Sequence, residues 1–329
     1  MMNKYSIQNL LTVENFKKAI ERPKLALEVG KKSLWKYYSR STLDNPMNIL
    51  AEDWDNLILL DACRYDTFCQ HCDIDGKLSR KVSPGTSSWE FMQESFLGGK
   101  NYDTVYITGN PHTPKLAGQS PFFKIVHVPA VRPNGVEWQY KPHETTQFVP
   151  PENIISEYKT QFQSFPHKKF ILHFMQPHLP FIGKSGYNIY SKLIDNGFED
   201  GLKKYSVLQL MDGRWVKNPQ NILSDSEVRR AYSENVIWAL HYAKKALSSL
   251  VGRTIITSDH ANLLGESVLG RKRYGHVHDL HTPNLVHVPH LIIDGKSRRN
   301  IVEDNSQQRF LGFDEEYVER QLQALGYKN

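Results

Sequence analysis

The sequence predicts an α/β fold, a mostly parallel central sheet with helices on both faces, and three observations predict it. Apolar strand-like runs alternate with helical patterns from Asn56 onward, the arrangement that covers a parallel sheet on both sides. Several runs stop at chemistry-bearing residues, Asp61, His178 and Asp259-His260, and ligands of open α/β sheets gather at the carboxyl ends of strands. A helix from Ser226 to Val251 has both ends marked: Ser224 and Glu227 have capping-box spacing, and Gly252 follows.

Residues 1–48 read as a basic extension. Within them, residues 13–40 form two basic amphipathic helices broken at Pro23, with Phe16, Leu25, Leu27, Leu34 and Trp35 available to one side. Such a segment either packs on the main domain with its lysines in water or lies on an anionic membrane. Residues 49–329 are read as the main domain, with insertions near 111–150 and 183–222, where Pro, Gly, Asn and aromatics replace clear periodicity.

Strands are expected at Asn56 to Ala62, Lys77 to Val82, Thr104 to Thr108, Lys124 to Val128, Phe170 to Met175, Arg253 to Ser258 and Val288 to Ile293. Helices are expected at Ser87 to Phe96, Glu152 to Phe165, Ser226 to Val251 and Glu315 to Leu325. In the third of these, Tyr232, Val236, Leu240, Ala243, Leu247 and Leu250 form a stripe that faces the core.

Composition narrows the function classes. Hydrophobic residues make up 40% and charged residues 23% of 329, an ordinary globular balance. The net charge of +6 suggests nucleic acid at first, yet residues 1–45 hold nine Lys/Arg against four acids, nearly the whole excess. A domain otherwise close to neutral lacks a broad phosphate-backbone footprint, so nucleic acid is set aside. No stretch of about 18 uninterrupted apolar residues occurs, and the first residues lack the apolar run of a signal peptide. Cys63, Cys69 and Cys72 are the only cysteines, all within ten residues, which argues against a disulfide framework. A cytoplasmic location is therefore expected, with the inner membrane face as the place where residues 13–40 could dock.

The candidate site is assembled from strand ends. Asp61 follows the apolar run Leu57 to Leu60, and a bare buried carboxylate costs several kcal/mol unless paired, hydrogen-bonded or bound to a cation. Asp259 and His260 close another run and offer one oxygen and one nitrogen to a divalent ion, zinc or manganese. The tract YGHVHDLH adds His276, His278 and His281. A nucleophile candidate lies in VSPGTSSWEFM, where Thr86 precedes a helix whose N-terminus favours negative charge. Either that hydroxyl ionises on a cation and attacks phosphorus or sulfur, or Thr86 or Ser87 is an N-cap completed by Glu90. Arg64 either clamps an anion or pairs with Asp66 or Asp61, and Lys184 is a further candidate for substrate contact. Cys69-Gln-His-Cys72 has zinc-like spacing but no second pair.

Taken in order, Asp61 after NLILL, Thr86 in PGTSSWEF, His178 in QPHLPF, Asp259-His260 in TSDHANLLGE and His276 in YGH resemble the alkaline phosphatase superfamily, in its sulfatase-like branch, from about residue 50 to 295. GTSSWEF followed by HLPF is most similar to phosphoglycerol transferases of lipoteichoic acid synthesis and to phosphoethanolamine transferases. DWDNLILLDACRYD and QPHLPFIG also resemble soluble sulfatase-like proteins of surface-glycan gene neighbourhoods.

The resemblance implies one firmly held metal on Asp61, Thr86, Asp259 and His260. Thr86 would be the nucleophile of a covalent phosphothreonine. His178 and His276 would act in catalysis, contact substrate or form a weaker second metal site, and Arg64, Lys184 and His278 would meet the substrate. The implied activity is hydrolysis or transfer of a phosphate ester or phosphodiester on a phosphorylated or sulfated glycan or glycolipid. Two departures qualify it. The Cys-x-Pro-x-Arg signature that yields formylglycine is absent, and Gln176 with His178 stands where an Asp-x-x-x-His pair completes a second zinc site. A sulfate-ester hydrolase and a non-catalytic, metal-stabilised binding protein of glycan assembly are the rival readings.

Overall fold

In the computed structural model, residues 43–119, 121–131, 147–215, 217–278 and 280–304 are described, together with Gly30. The chain enters the main domain at β1 (Asn56–Leu60), followed by α1 (Tyr65–His71), β2 (Lys77–Val82), α2 (Ser88–Phe96), β3 (Asn101–Thr108), α3 (Thr113–Ala117) and β4 (Phe122–His127). It continues through α4 (Pro151–Ser164), β5 (Lys169–Phe174), α5 (Lys184–Asp195), α6 (Glu199–Leu202), α7 (Val207–Met211) and α8 (Asp225–Leu247). The last elements are β6 (Thr254–Ser258), β7 (Leu263–Val268), β8 (Arg271–Gly275), α9 (Pro283–Val286) and β9 (His287–Ile293).

Seven strands form one sheet in the order β2-β9-β6-β1-β5-β3-β4. The five strands from β6 to β4 run parallel, and β9 is antiparallel to both of its neighbours. β1 lies at the centre because its residues are apolar on both faces. Ile58 and Leu60 join a core that includes α4 and α8, whereas Leu57 and Leu59 join one that includes Phe91, Met92 and Phe96 of α2. A parallel strand covered on both sides reads as such a continuous run. This is the α/β architecture that the alternation predicts, and all seven expected strands lie in the sheet.

α8 carries both halves of the Ser224–Glu227 capping box, and Tyr232, Val236, Leu240 and Ala243 of its stripe are buried. It ends at Leu247, four residues before the expected end. The β7–β8 hairpin was not expected, because Glu266 and Arg271 to Arg273 hide its alternation. α5 to α7 occupy much of the stretch read as an insertion near 183–222, and Ile189, Leu193, Phe198, Leu208 and Leu210 join the main core. Near 111–150 the described parts include α3, β4 and a single bridge between Val131 and Phe148. The expected helices over residues 13–40, Gly30 aside, and at Glu315 to Leu325 lie outside the described residues.

Candidate active site

β1 and β6 pair in parallel with Leu60 opposite Ser258, so the next residues, Asp61 and Asp259, leave the sheet side by side. Asp61, Asp259 and His260 are fully buried, and one ligand atom from each lies within 4.8 Å of the others. Each carboxylate has one oxygen engaged and one bare. Asp61 Oδ2 accepts from the Ser88 hydroxyl at 3.1 Å and from Asn110 Nδ2 at 3.3 Å, while Asp61 Oδ1 has no partner. Asp259 Oδ1 accepts from the backbone N–H of Ala62 at 3.0 Å and of His260 at 2.8 Å, while Asp259 Oδ2 has none.

Both bare oxygens face one nitrogen. His260 Nε2 lies 3.8 Å from Asp61 Oδ1 and 3.6 Å from Asp259 Oδ2. Its Nδ1 lies 2.9 Å from the Ala261 carbonyl, which can only accept, so Nδ1 carries the proton and Nε2 presents its lone pair. Two bare anionic oxygens and an imidazole lone pair converging in a buried space fit a divalent cation, the arrangement that compensates such burial. Burial, then the adjacent Asp259 carboxylate, pushes the Asp61 carboxyl well above the ordinary carboxylate range.

The backbone is bent to make this cluster. Ala62 has φ of 61°, a left-handed conformation unusual for a residue with a side chain, and its N–H points at Asp259. Tyr232 of α8 holds the turn, donating to the Ala62 carbonyl at 2.7 Å and accepting from the Arg64 N–H at 2.8 Å.

The hydroxyl at the cluster is that of Ser88, not Thr86. Ser88 Oγ lies 3.4 Å from His260 Nε2 as well as on Asp61. Thr86 Oγ1 donates to Glu90 Oε2 at 2.7 Å and lies 3.1 Å from the Val277 carbonyl. Ser87 is the N-cap of α2, so Ser88 begins the helix and successive side chains point about 100° apart, as 3.6 residues per turn requires. Gly85 lets this turn sit close to α2, since a Cβ there would lie 2.3 Å from the Phe91 nitrogen.

His178 and His276 stand beside the cluster. Their Nε2 atoms are 3.4 Å apart, and the His276 ring centroid is 4.8 Å from that of His260. His178 Nδ1 donates to the Leu179 carbonyl at 3.2 Å, which leaves Nε2 as an acceptor. Burial lowers the His178 value to about 4 and holds His276 well below the usual imidazole range. Two nitrogens bound at about 2.0–2.1 Å to one tetrahedral ion would be about 3.3–3.4 Å apart.

Other expected site residues fare differently. Arg64 is committed to structure: its guanidinium binds Asp66 through two nitrogens at 2.9 and 2.5 Å, the Asn262 carbonyl at 2.9 Å and Glu266 at 2.8 Å. Of the two roles left open for Arg64, these contacts are those of the pairing with Asp66. Lys184 is exposed at the start of α5 and does not line the cavity beside His178 and His276, whereas His278 does. Gln176 is buried away from the cluster, beside a smaller cavity lined by Phe148 and Pro180.

A cavity of about 320 Å³ is walled by Trp89, His178, His276, Asn262, Asp212 and Arg214 among others. Sequence reasoning missed Ser88, Asn110, Asn262 and His173. His173 carried a signal, as the one polar residue inside the run FILHF.

No family model matches the chain, and no curated protein matches it. Solved structures do. The chain is similar to the zinc complex of the C-terminal periplasmic domain of EcEptC from Escherichia coli, at 13% identity and TM-score 0.47, over 77% of this chain and 76% of that one. It is similar to the soluble domain of lipooligosaccharide phosphoethanolamine transferase A from Neisseria meningitidis, at 12% identity and TM-score 0.43, over 77% and 80%. A protein in the alkaline phosphatase superfamily from Vibrio parahaemolyticus matches at 14% identity and TM-score 0.42, over 90% and 74%. That is the superfamily the sequence motifs resemble.

The expectation of a cytoplasmic location, or of the inner membrane face, is corrected by the same comparison. The EcEptC structure and that of EptC from Campylobacter jejuni are periplasmic domains. Among the described residues no helix is long and apolar enough to cross a membrane, but that feature does not separate the compartments.

Proposed function

We propose that this domain is a metal-dependent hydrolase or transferase of phosphate esters or phosphodiesters. Asp61, Asp259 and His260 hold one divalent cation, zinc or manganese, and Ser88 is the nucleophile. The observation that carries the reading is the convergence of two partnerless carboxylate oxygens and an imidazole lone pair at 3.6–3.8 Å, with a serine hydroxyl on the rim. Ser88 takes the role expected of Thr86 because the Thr86 hydroxyl is spent on Glu90.

The bound cation would act as a Lewis acid, lowering the Ser88 hydroxyl's pKa and offsetting transition-state charge. Asp61 Oδ2, at 3.1 Å, is placed to take the Ser88 proton. Ser88 Oγ then attacks phosphorus as one P–O ester bond breaks, and the departing oxygen leaves as the alkoxide or takes up the proton held by Asp61. The phosphoryl group stays on Ser88, still carrying its second ester when the substrate is a diester, for water or an acceptor hydroxyl to resolve. Ser88 is the first residue of α2, and a helix N-terminus favours an anion.

His178 and His276 are neutral in this arrangement, with His178 Nε2 an acceptor. They suit a second, weaker cation, or the uptake of a proton from the incoming hydroxyl, better than donation to the leaving oxygen. Asn262 is 1% exposed with both amide atoms partnerless and lines the cavity, which fits a contact to the substrate anion or its hydroxyls. Trp89 on the same wall offers an apolar face for a sugar ring, in keeping with a glycan or glycolipid substrate. Phosphorus is preferred to sulfur, since the nearest cysteine, Cys63, is buried behind the first strand's end with its thiol 3.9 Å from the Arg64 carbonyl.

The test is turnover of bis-p-nitrophenyl phosphate and p-nitrophenyl sulfate by protein loaded with zinc or manganese. Metal-dependent release from the phosphodiester is expected, lost by several orders of magnitude in Ser88→Ala and largely kept in Thr86→Val. Equal loss in both variants would return Thr86 to the role, a preference for the sulfate ester would favour a sulfatase, and metal binding without turnover would favour a scaffold.

A further inference from the structure

We propose that His173 is a positioning residue that orients the two metal-binding carboxylates through its Nε2–H, with Tyr106 fixing the tautomer. The inference rests on the metal reading of the cluster and adds a residue that neither the motifs nor the cavity includes.

His173 lies in β5, paired with Leu59 of β1 on one side and Thr108 of β3 on the other, two residues short of the strand ends that carry the cluster. It is fully buried in an apolar run, a place where an imidazole needs partners on both nitrogens. On one side, Tyr106 Oη lies 2.7 Å from Nδ1. Tyr106 is also fully buried, and a buried phenol hydroxyl donates to an acceptor wherever it finds one. With Tyr106 donating, Nδ1 is the acceptor and the ring proton sits on Nε2.

That N–H points between the carboxylates. Nε2 lies 3.7 Å from Asp61 Oδ2 and 3.8 Å from Asp259 Oδ2, and has no hydrogen-bond partner of its own. His173 does not join the set whose ligand atoms all lie within 4.8 Å of one another, so it stands outside the ligand cluster as a donor rather than within it as a ligand. Beyond hydrogen-bond reach of either, an N–H dipole beside two buried carboxylates acts on both electrostatically and favours the rotamers that keep an oxygen toward it. It keeps the Asp61 oxygen that serves Ser88 distinct from the one that faces His260. The chain Tyr106–His173–carboxylates is thus the outer layer of the centre, supplied by two strands that carry none of its ligands. Loss of such outer partners typically costs about 10–100-fold in metal affinity.

The test uses the full chain and cobalt(II) as probe, read by competition with a chromophoric chelator and by the visible spectrum of the bound ion. His173→Leu should weaken cobalt binding about 10–100-fold. His173→Gln, whose amide N–H reaches the Nε2 position, should restore most of the affinity with the wild-type band positions, and Tyr106→Phe should weaken binding less than His173→Leu.

Wild-type affinity in His173→Leu would show that the ring only fills space. Shifted bands, or a loss in His173→Gln as large as in His173→Leu, would make the ring a ligand. Either outcome overturns the proposal while leaving the metal reading intact, whereas a wild type that takes up no divalent metal overturns both. If His173→Leu does not fold, Tyr106→Phe decides, with unchanged cobalt affinity contradicting the proposal.

Discussion

Ser88 shows what a single residue step means in this site. Three consecutive hydroxyls, Thr86, Ser87 and Ser88, lie at the start of one helix, and sequence alone offers Thr86 as nucleophile and Thr86 or Ser87 as cap, leaving Ser88 unread. Packing separates them: Thr86 binds Glu90, Ser87 caps the helix, and Ser88 reaches Asp61. The helix start was legible to within a residue, yet a residue is about 100° of rotation, and rotation decides which hydroxyl meets the cluster. Asp61, Asp259 and His260 were easier to read, because a polar residue that closes a fully apolar run is buried along with it and must find a partner or a cation there.

Arg64 was read with two roles open, and its pairing with Asp66 gives a test in acid. Burial would raise the Asp66 value, but the Arg64 guanidinium outweighs it and holds the carboxyl at about 2, below the usual 3.8. A lowered folded-state value adds stability above the unfolded value, and that stability is lost as pH falls from about 4 through about 2. Asp66→Asn should therefore remove part of the acid-side loss of stability over that window while lowering stability at neutral pH. An unchanged acid limb in chemical denaturation at stepped pH would show that the pair contributes nothing.

At the scale of elements, the strands were legible because burial on both faces leaves a continuous apolar run, as in NLILL and FILHF. The β7–β8 hairpin was not, since Arg271 and Lys272 are exposed and Arg273 is drawn in by Asp212, which leaves no clean apolar alternation. α6 and α7 were missed because each is short and draws its burial from tertiary contact, whereas α5, twelve residues long, has a stripe through Ile189, Tyr190 and Leu193 that the surrounding Gly and Asn residues obscured. α8 was legible over its whole stripe, and its role at the site was not: Tyr232 reads as core, yet its hydroxyl ties the helix to the turn after Asp61. Removing that hydroxyl strands the buried Ala62 carbonyl and Arg64 N–H, each worth about 1–3 kcal/mol when left without a partner. Tyr232→Phe should lower thermal stability accordingly and also weaken metal binding. A lowered melting temperature with wild-type metal affinity would confine Tyr232 to a packing role.

Across the whole molecule, the end of the sheet opposite the candidate site is closed by charge rather than by apolar packing. Asp55 is fully buried and accepts from the Arg253 N–H at 2.7 Å and from Arg298 Nε at 2.5 Å. Arg299 adds bonds to the Asp55 carbonyl at 2.5 Å and the Asn56 side chain at 2.9 Å, while its guanidinium lies over Phe162 and Phe170. Residues 298–299 thus clamp the start of β1 against the chain that follows β9. The Arg298 side chain is 46% exposed and keeps its bonds to Asp53, so removing the Asp55 carboxylate chiefly strands the Arg253 N–H, and Asp55→Ala should destabilise the domain by about 1–3 kcal/mol in urea denaturation without altering the cluster's ligands. A loss below about 1 kcal/mol would place the clamp among surface pairs that contribute little.

Catalysis by Ser88 at a metal held by Asp61, Asp259 and His260 requires that this serine become covalently phosphorylated. Mass spectrometry of acid-quenched, metal-loaded protein after exposure to a phosphodiester reads that step without relying on turnover. A phosphoryl-derived mass increase should map to Ser88 and be absent from Ser88→Ala and from metal-stripped protein. Modification that maps to Thr86, or turnover with no modified residue in the peptide spanning Gly85 to Met92, would contradict it.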